Sequence, residues 1–140
     1  MKNKKRIDNN GFSLVELIIV IAIMAVLIGV LAPQYLKYVE RSRQSADLDS
    51  INTMVHAVEI YNADPNTVTP GTGTITATSG TVTADASIVA ALTDAGMPTL
   101  PKMKSTEYKA WVITFTNTGW TITTDTDGTN GTKLSTALGR

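Results

Sequence analysis

The chain has no cysteine and a single histidine, His56, among its 140 residues. Without cysteine there is neither a disulfide framework nor a thiolate metal site, so any exported part must fold without staples. One histidine leaves little material for transition-metal binding or for proton transfer near neutral pH. Formal charge sums to zero, so no strongly basic surface of the kind expected of a nucleic-acid-binding domain is implied. No nucleophile, base and orienting group stand in a recognisable motif, so the expectation is a protein that is not an enzyme.

The residues that are present are distributed unevenly. Lys2, Lys4, Lys5, Arg6 and Asp8 give the first eleven residues a net charge of +3 and leave −3 on the remainder. A hydrocarbon run follows, and Leu17 to Leu36 contains 20 residues without a formal charge. At about 1.5 Å per residue a helix of that length spans the roughly 30 Å core of a bilayer. The basic leader predicts a cytoplasmic start, with everything beyond the apolar helix on the other side. Within the run lies one carboxylate, Glu16. Such a group costs about 2.5 to 3.5 kcal/mol at the bilayer centre and less near its surface, so Glu16 requires a compensating partner. An ordinary secretory signal does not explain it: the apolar stretch is too long, and Pro33-Gln34-Tyr35 stands where a small-residue cleavage site belongs.

Gly11-Phe12-Ser13-Leu14-Val15-Glu16, followed by the apolar helix, resembles the class III signal of type IV pilins and their pseudopilin relatives. The resemblance covers Lys2 to about Tyr61, and the remaining residues share only the broad plan. It implies cleavage between Gly11 and Phe12 by a membrane-embedded aspartyl peptidase, which also methylates the new amino terminus of Phe12. It further implies storage in the cytoplasmic membrane and polymerisation into a helical homo-oligomer by an ATPase and platform machinery. In the family, the counterpart of Glu16 neutralises the amino terminus of an adjacent subunit. Here Glu16 lies four residues beyond Phe12, so pairing within one chain is equally open to it. The family also bends or melts its helix in the region corresponding to Ala25–Pro33. Gly29 and Pro33 mark that segment, and proline independently predicts a kink through its missing donor and its steric clash. The absence of cysteine excludes the C-terminal disulfide loop common among pilins.

From Leu17 to Leu31 apolar residues cover every face, which suits lipid or a bundle of many copies better than a soluble core. Beyond Pro33, Leu48, Ile51, Met54, Val55, Val58 and Tyr61 recur at three- and four-residue spacing. A helix from about Phe12 to Tyr61 is therefore expected, ended by Asn62-Ala63-Asp64-Pro65-Asn66. Met54 and His56 are expected to be structural. Glu40, Arg41, Arg43, Asp47 and Asp49 are expected to form a solvated or intersubunit surface.

In the threonine-rich stretch 66–84, Thr74–Thr78 and Thr81–Thr83 either pair across Ser79-Gly80 or form a displayed loop open to O-glycosylation. Asp85 reads as the cap of a short helix that buries Ile88, Val89 and Leu92, with Gly96 as its stop. Tyr108–Thr116 and Trp120–Thr124 flank Asn117-Thr118-Gly119 and predict a hairpin. Its alternating Trp111, Ile113 and Phe115, with Trp120 and Ile122, would cover the amphipathic helix. The expected fold is thus α+β: a leader (1–11), an apolar transmembrane or filament-core helix (12–36), an amphipathic half (37–61) and a head with a small antiparallel sheet (62–140).

Asp125, Asp127 and Asn130 have a partial likeness to a calcium loop, but Thr129 and the missing glutamate break the pattern, so no cofactor is expected beyond that one calcium candidate. Asn130-Gly131-Thr132 reads as turn chemistry. The expected function is the major subunit of a type IV pilus serving adhesion, twitching motility or DNA uptake. The alternatives are a pseudopilin of a type II secretion or competence system, and a minor pilin that binds DNA through Lys102, Lys104 and Lys109.

Overall fold

A computed structural model describes residues 11–67, 69–123 and 130–139, with the backbone alone for 130–133. The basic leader, Asp125 and Asp127, and the side chain of Asn130, lie outside the described residues.

Helix α1 spans Leu14–Ala63 and contains Pro33. Its two halves belong to separate compact units, one ending at Tyr38 and the other beginning at Val39. In the first unit every residue from Gly11 to Tyr38 is exposed. Apolar side chains there cover the whole circumference, as the sequence requires. The helix is long and apolar enough to cross a membrane by length and composition.

The second unit holds the core. The later half of α1 contributes Ile51, Met54, Val55, Ala57 and Val58, all buried, with Leu48 and Tyr61 packed at the margin. Strands β1 (Gly73–Thr78), β2 (Thr81–Ala84), β3 (Trp111–Thr116) and β4 (Gly119–Thr123) form one antiparallel sheet in the order β2-β1-β3-β4. Alternation decides which face is inward. Ile75, Ala77, Val82, Trp111, Ile113 and Phe115 are buried, while threonines at the intervening positions face outward.

The threonine-rich stretch is therefore a hairpin, with Thr76 opposite Thr83 and Thr78 opposite Thr81. Ser79 and Gly80 carry positive φ values of 51° and 83°, the combination that a two-residue turn needs to match strand twist. The second hairpin closes through Asn117-Thr118, with Thr116 opposite Gly119. It starts later than the alternation suggests. Ser105 Oγ accepts the N–H groups of Glu107 and Tyr108, which turns the chain before β3.

Helix α2 (Ala86–Asp94) follows Asp85 as expected, but two details differ. Asp85 makes no side-chain cap; its carboxylate accepts the Thr74 N–H at 2.7 Å and the Thr74 hydroxyl at 3.1 Å, tying the helix start to β1. Val89 is exposed, and Ala91 is buried with Ile88 and Leu92. At the other end Met97 N–H reaches Leu92 O and Gly96 N–H reaches Thr93 O, the paired bonds of a Schellman stop. A third helix, α3 (Asn130–Ala137), was not anticipated from the sequence and buries Leu134 in the same core.

Candidate functional site

The segment around the expected cleavage position is built by the first turn of α1. Ser13 occupies the N-cap position, and its carbonyl accepts the Leu17 N–H at 3.2 Å. Glu16, three residues on, reaches back to accept the Ser13 N–H at 2.9 Å. That is the glutamate half of a capping box, so the carboxylate satisfies a backbone donor that a helix start otherwise leaves open. The acidic group also sits at the positive end of the helix dipole. Before any processing, Glu16 thus points its charge toward the residues that precede the helix.

Gly11 and Phe12 lie outside α1 and are exposed, Phe12 by 91%. The Gly11–Phe12 bond is therefore not wrapped in helix. A side chain added at Gly11 would meet nothing within 4 Å among the described residues. Among the described residues nothing crowds a side chain at this position. Gly29 is likewise free of neighbours. The backbone stays helical through both Gly29 and Pro33; the helix melting that the family resemblance implies concerns the assembled fibre.

Two carboxylates expected on a solvated surface instead anchor the head. Asp47 is buried and accepts the Lys104 N–H at 2.9 and 3.0 Å and the Ser105 N–H at 2.6 Å. Glu40 accepts the Thr106 N–H at 2.6 Å, the Thr106 hydroxyl at 2.7 Å and the Ser105 hydroxyl at 3.0 Å. The Thr106 hydroxyl and N–H, then the Ser105 hydroxyl and Arg43, hold the Glu40 carboxyl below its ordinary value of 4.5 despite partial burial. The signal for Asp47 was its position, four residues before Ile51 on the apolar stripe.

His56 is exposed beside Glu59, with 3.1 Å between Nδ1 and the carboxylate, and Met54 is fully buried in the core. The side chains of Lys102, Lys104 and Lys109 are exposed. Among the described residues, no three His, Cys, Asp or Glu side chains gather as a metal site.

Residues 6–32 match the family model described as the prokaryotic N-terminal methylation motif. This segment contains Gly11, Phe12 and Glu16, and the match stops one residue short of Pro33. Over 69 residues the chain is 39% identical to the type IV wide pilus major component PilA4 of Thermus thermophilus. The chain thus carries the N-terminal methylation motif and, over about half its length, is similar to a type IV pilin. The alignment covers 49% of the chain and spans about half of the relative's length. No solved structure matches. The long apolar helix followed by a small four-stranded antiparallel sheet is a pilin-like α+β arrangement.

Proposed function

We propose that this chain is the major structural subunit of a type IV pilus, held in the cytoplasmic membrane with its leader inside, cut after Gly11, methylated on Phe12 and polymerised into a surface fibre. The observation that carries the reading is the pairing of Gly11 and Glu16. Among the described residues nothing approaches an added side chain at the exposed Gly11, which fits selection of glycine by an external peptidase. One turn away, Glu16 already faces the place where cleavage would create an ammonium group.

The exposed apolar half of α1 supports the same reading. It needs lipid before assembly and other copies after it, and removing apolar area from water is worth about 25 cal/mol per Å². Such burial can hold a polymer without covalent links. The role is architectural; peptidase, ATPase and platform are separate partners, and no catalytic function is assigned to this chain. The similarity to a pilus major component favours a major pilin over a pseudopilin.

Mass spectrometry of sheared surface fibres tests this. The expected dominant component is residues 12–140 beginning at N-methyl-Phe12. An uncut chain, or fibres that lack this chain, would overturn the proposal.

A further inference from the structure

The head contains a cleft of about 390 Å³ between the end of α1, the loop that follows it and the β3–β4 hairpin. That volume falls in the range of small-molecule sites, roughly 300 to 1,000 Å³. Trp120 and Phe115 form its aromatic side; Glu59, Asn62 and Asn117 supply polar groups. We propose that this cleft binds a neutral saccharide, with a pyranose ring against Trp120 and its hydroxyls on Glu59 and the asparagine amides.

The walls are held in place before any ligand arrives. Trp120 Nε1–H donates to Glu59 Oε1 at 2.7 Å, which fixes the half-buried indole and one edge of the carboxylate together. Asn62 is locked by a two-point pairing with Gly71: its Oδ1 accepts the Gly71 N–H at 2.7 Å and its Nδ2 donates to the Gly71 carbonyl at 3.3 Å. A preorganised site gives up less ordering entropy on binding.

The chemistry of the lining selects the ligand. No cationic side chain lines the cleft and one carboxylate does, so anions are disfavoured. A purely apolar ligand would strip water from Glu59 and the amides without replacing their hydrogen bonds. A cation would satisfy Glu59 and the indole face but leave the amides of Asn62 and Asn117 unused. A pyranose offers an apolar C–H face to an aromatic ring and hydroxyl donors and acceptors around its rim, which uses every group present.

Use of this cleft for attachment rests on the surface-fibre reading, whereas binding is measured on the unassembled chain, so either can fail alone. The full chain, in a sugar-free polyoxyethylene detergent, is titrated with maltose, lactose and N,N′-diacetylchitobiose at concentrations on the order of 10 mM. The two indole N–H resonances, from Trp111 and Trp120, report folding and the cleft respectively. The expected result is a saturable shift of Trp120 alone by at least one saccharide, weakened about tenfold in Asn117→Ala and by a smaller factor in Glu59→Gln, whose amide oxygen still accepts hydrogen bonds. Absence of a Trp120 shift with all three sugars would overturn the proposal. A shift produced only by tetramethylammonium and lost in Glu59→Gln would overturn it in favour of a cation site.

Discussion

The two halves of α1 use similar aliphatic residues to opposite ends. Between Leu14 and Leu36 every leucine, isoleucine and valine is exposed; between Ile51 and Val58 the isoleucine and both valines are buried. The difference is angular. In the first half apolar side chains surround the axis, and no single neighbouring layer could cover them. In the second they form one stripe, which the sheet covers. Stability of the head is therefore internal, whereas the apolar half, on the reading proposed above, relies on lipid or on other copies.

The largest effect on assembly, as opposed to folding, is expected from Glu16→Ala. The variant should be processed and remain in the membrane, yet the yield of sheared fibres should fall by about tenfold or more, equivalent to at least about 1.4 kcal/mol. Its thermal midpoint should match the parent chain, since Glu16 belongs to the half that the head does not depend on. Normal fibre yield would break the assigned role of the carboxylate.

Trp111→Ala makes the converse case. Trp111 is fully buried and central in the core, so the head should lose about 4 kcal/mol. Ile21→Ala removes an exposed side chain and should leave the thermal midpoint of the detergent-solubilised chain unchanged. Calorimetry of both variants compares the halves directly; equal losses would erase the distinction.

Next comes the anchor that the sequence concealed. Asp47→Ala orphans the Lys104 and Ser105 N–H groups and should cost about 3 kcal/mol. Hydrogen exchange at those two amides should accelerate more than at the β1–β3 ladder. The Glu40 anchor adds a pH dependence whose sign follows from its cause. Its folded carboxyl is held below 4.5, so its contribution is fully present above that value and disappears as pH falls through the lower, folded one. Glu40→Gln should thus lose stability at pH 7 and show a smaller further loss between pH 5 and pH 3 than the parent, read as a narrowed shift in Tm.

Much of the fold was legible because it rests on short-range periods. The alternating threonines of β1 and β2, the Trp111-Ile113-Phe115 series and the stripe from Leu48 to Tyr61 each announce which face turns inward. The anchors were not legible in the same way. Asp47 meets its partners 57 and 58 residues away, and Glu40 meets its own 65 and 66 residues away. Those partners are mostly backbone N–H groups, which leave no mark in composition. Asp85 shows a related limit: residue type and position suit a cap, but a donor pair on Thr74 captures the carboxylate. At Gly11 the reverse holds, because the motif was legible while the described residues place nothing within 4 Å of an added side chain.

The smallest effect is expected at the β1–β2 turn. Gly80 combines φ of 83° with a position where an added Cβ would stand 3.0 Å from the Met103 carbonyl oxygen. Its own N–H bonds to the Lys109 carbonyl at 3.0 Å, and its carbonyl accepts the Met103 N–H at 2.9 Å, so the turn is fastened to the segment that Asp47 and Glu40 hold. Gly80→Ala should cost about 1 to 2 kcal/mol from the left-handed backbone alone, with a further rise if Met103 cannot retreat. The decisive comparison is a double substitution. With Asp47→Ala already in place the Met103–Thr106 segment is loosened and can yield to the new methyl group, so the two losses should sum to less than their separate values. Strict additivity in the measured Tm-derived free energies would show that turn and anchor act independently, and would divide the head into smaller parts than its shared hydrogen bonds imply.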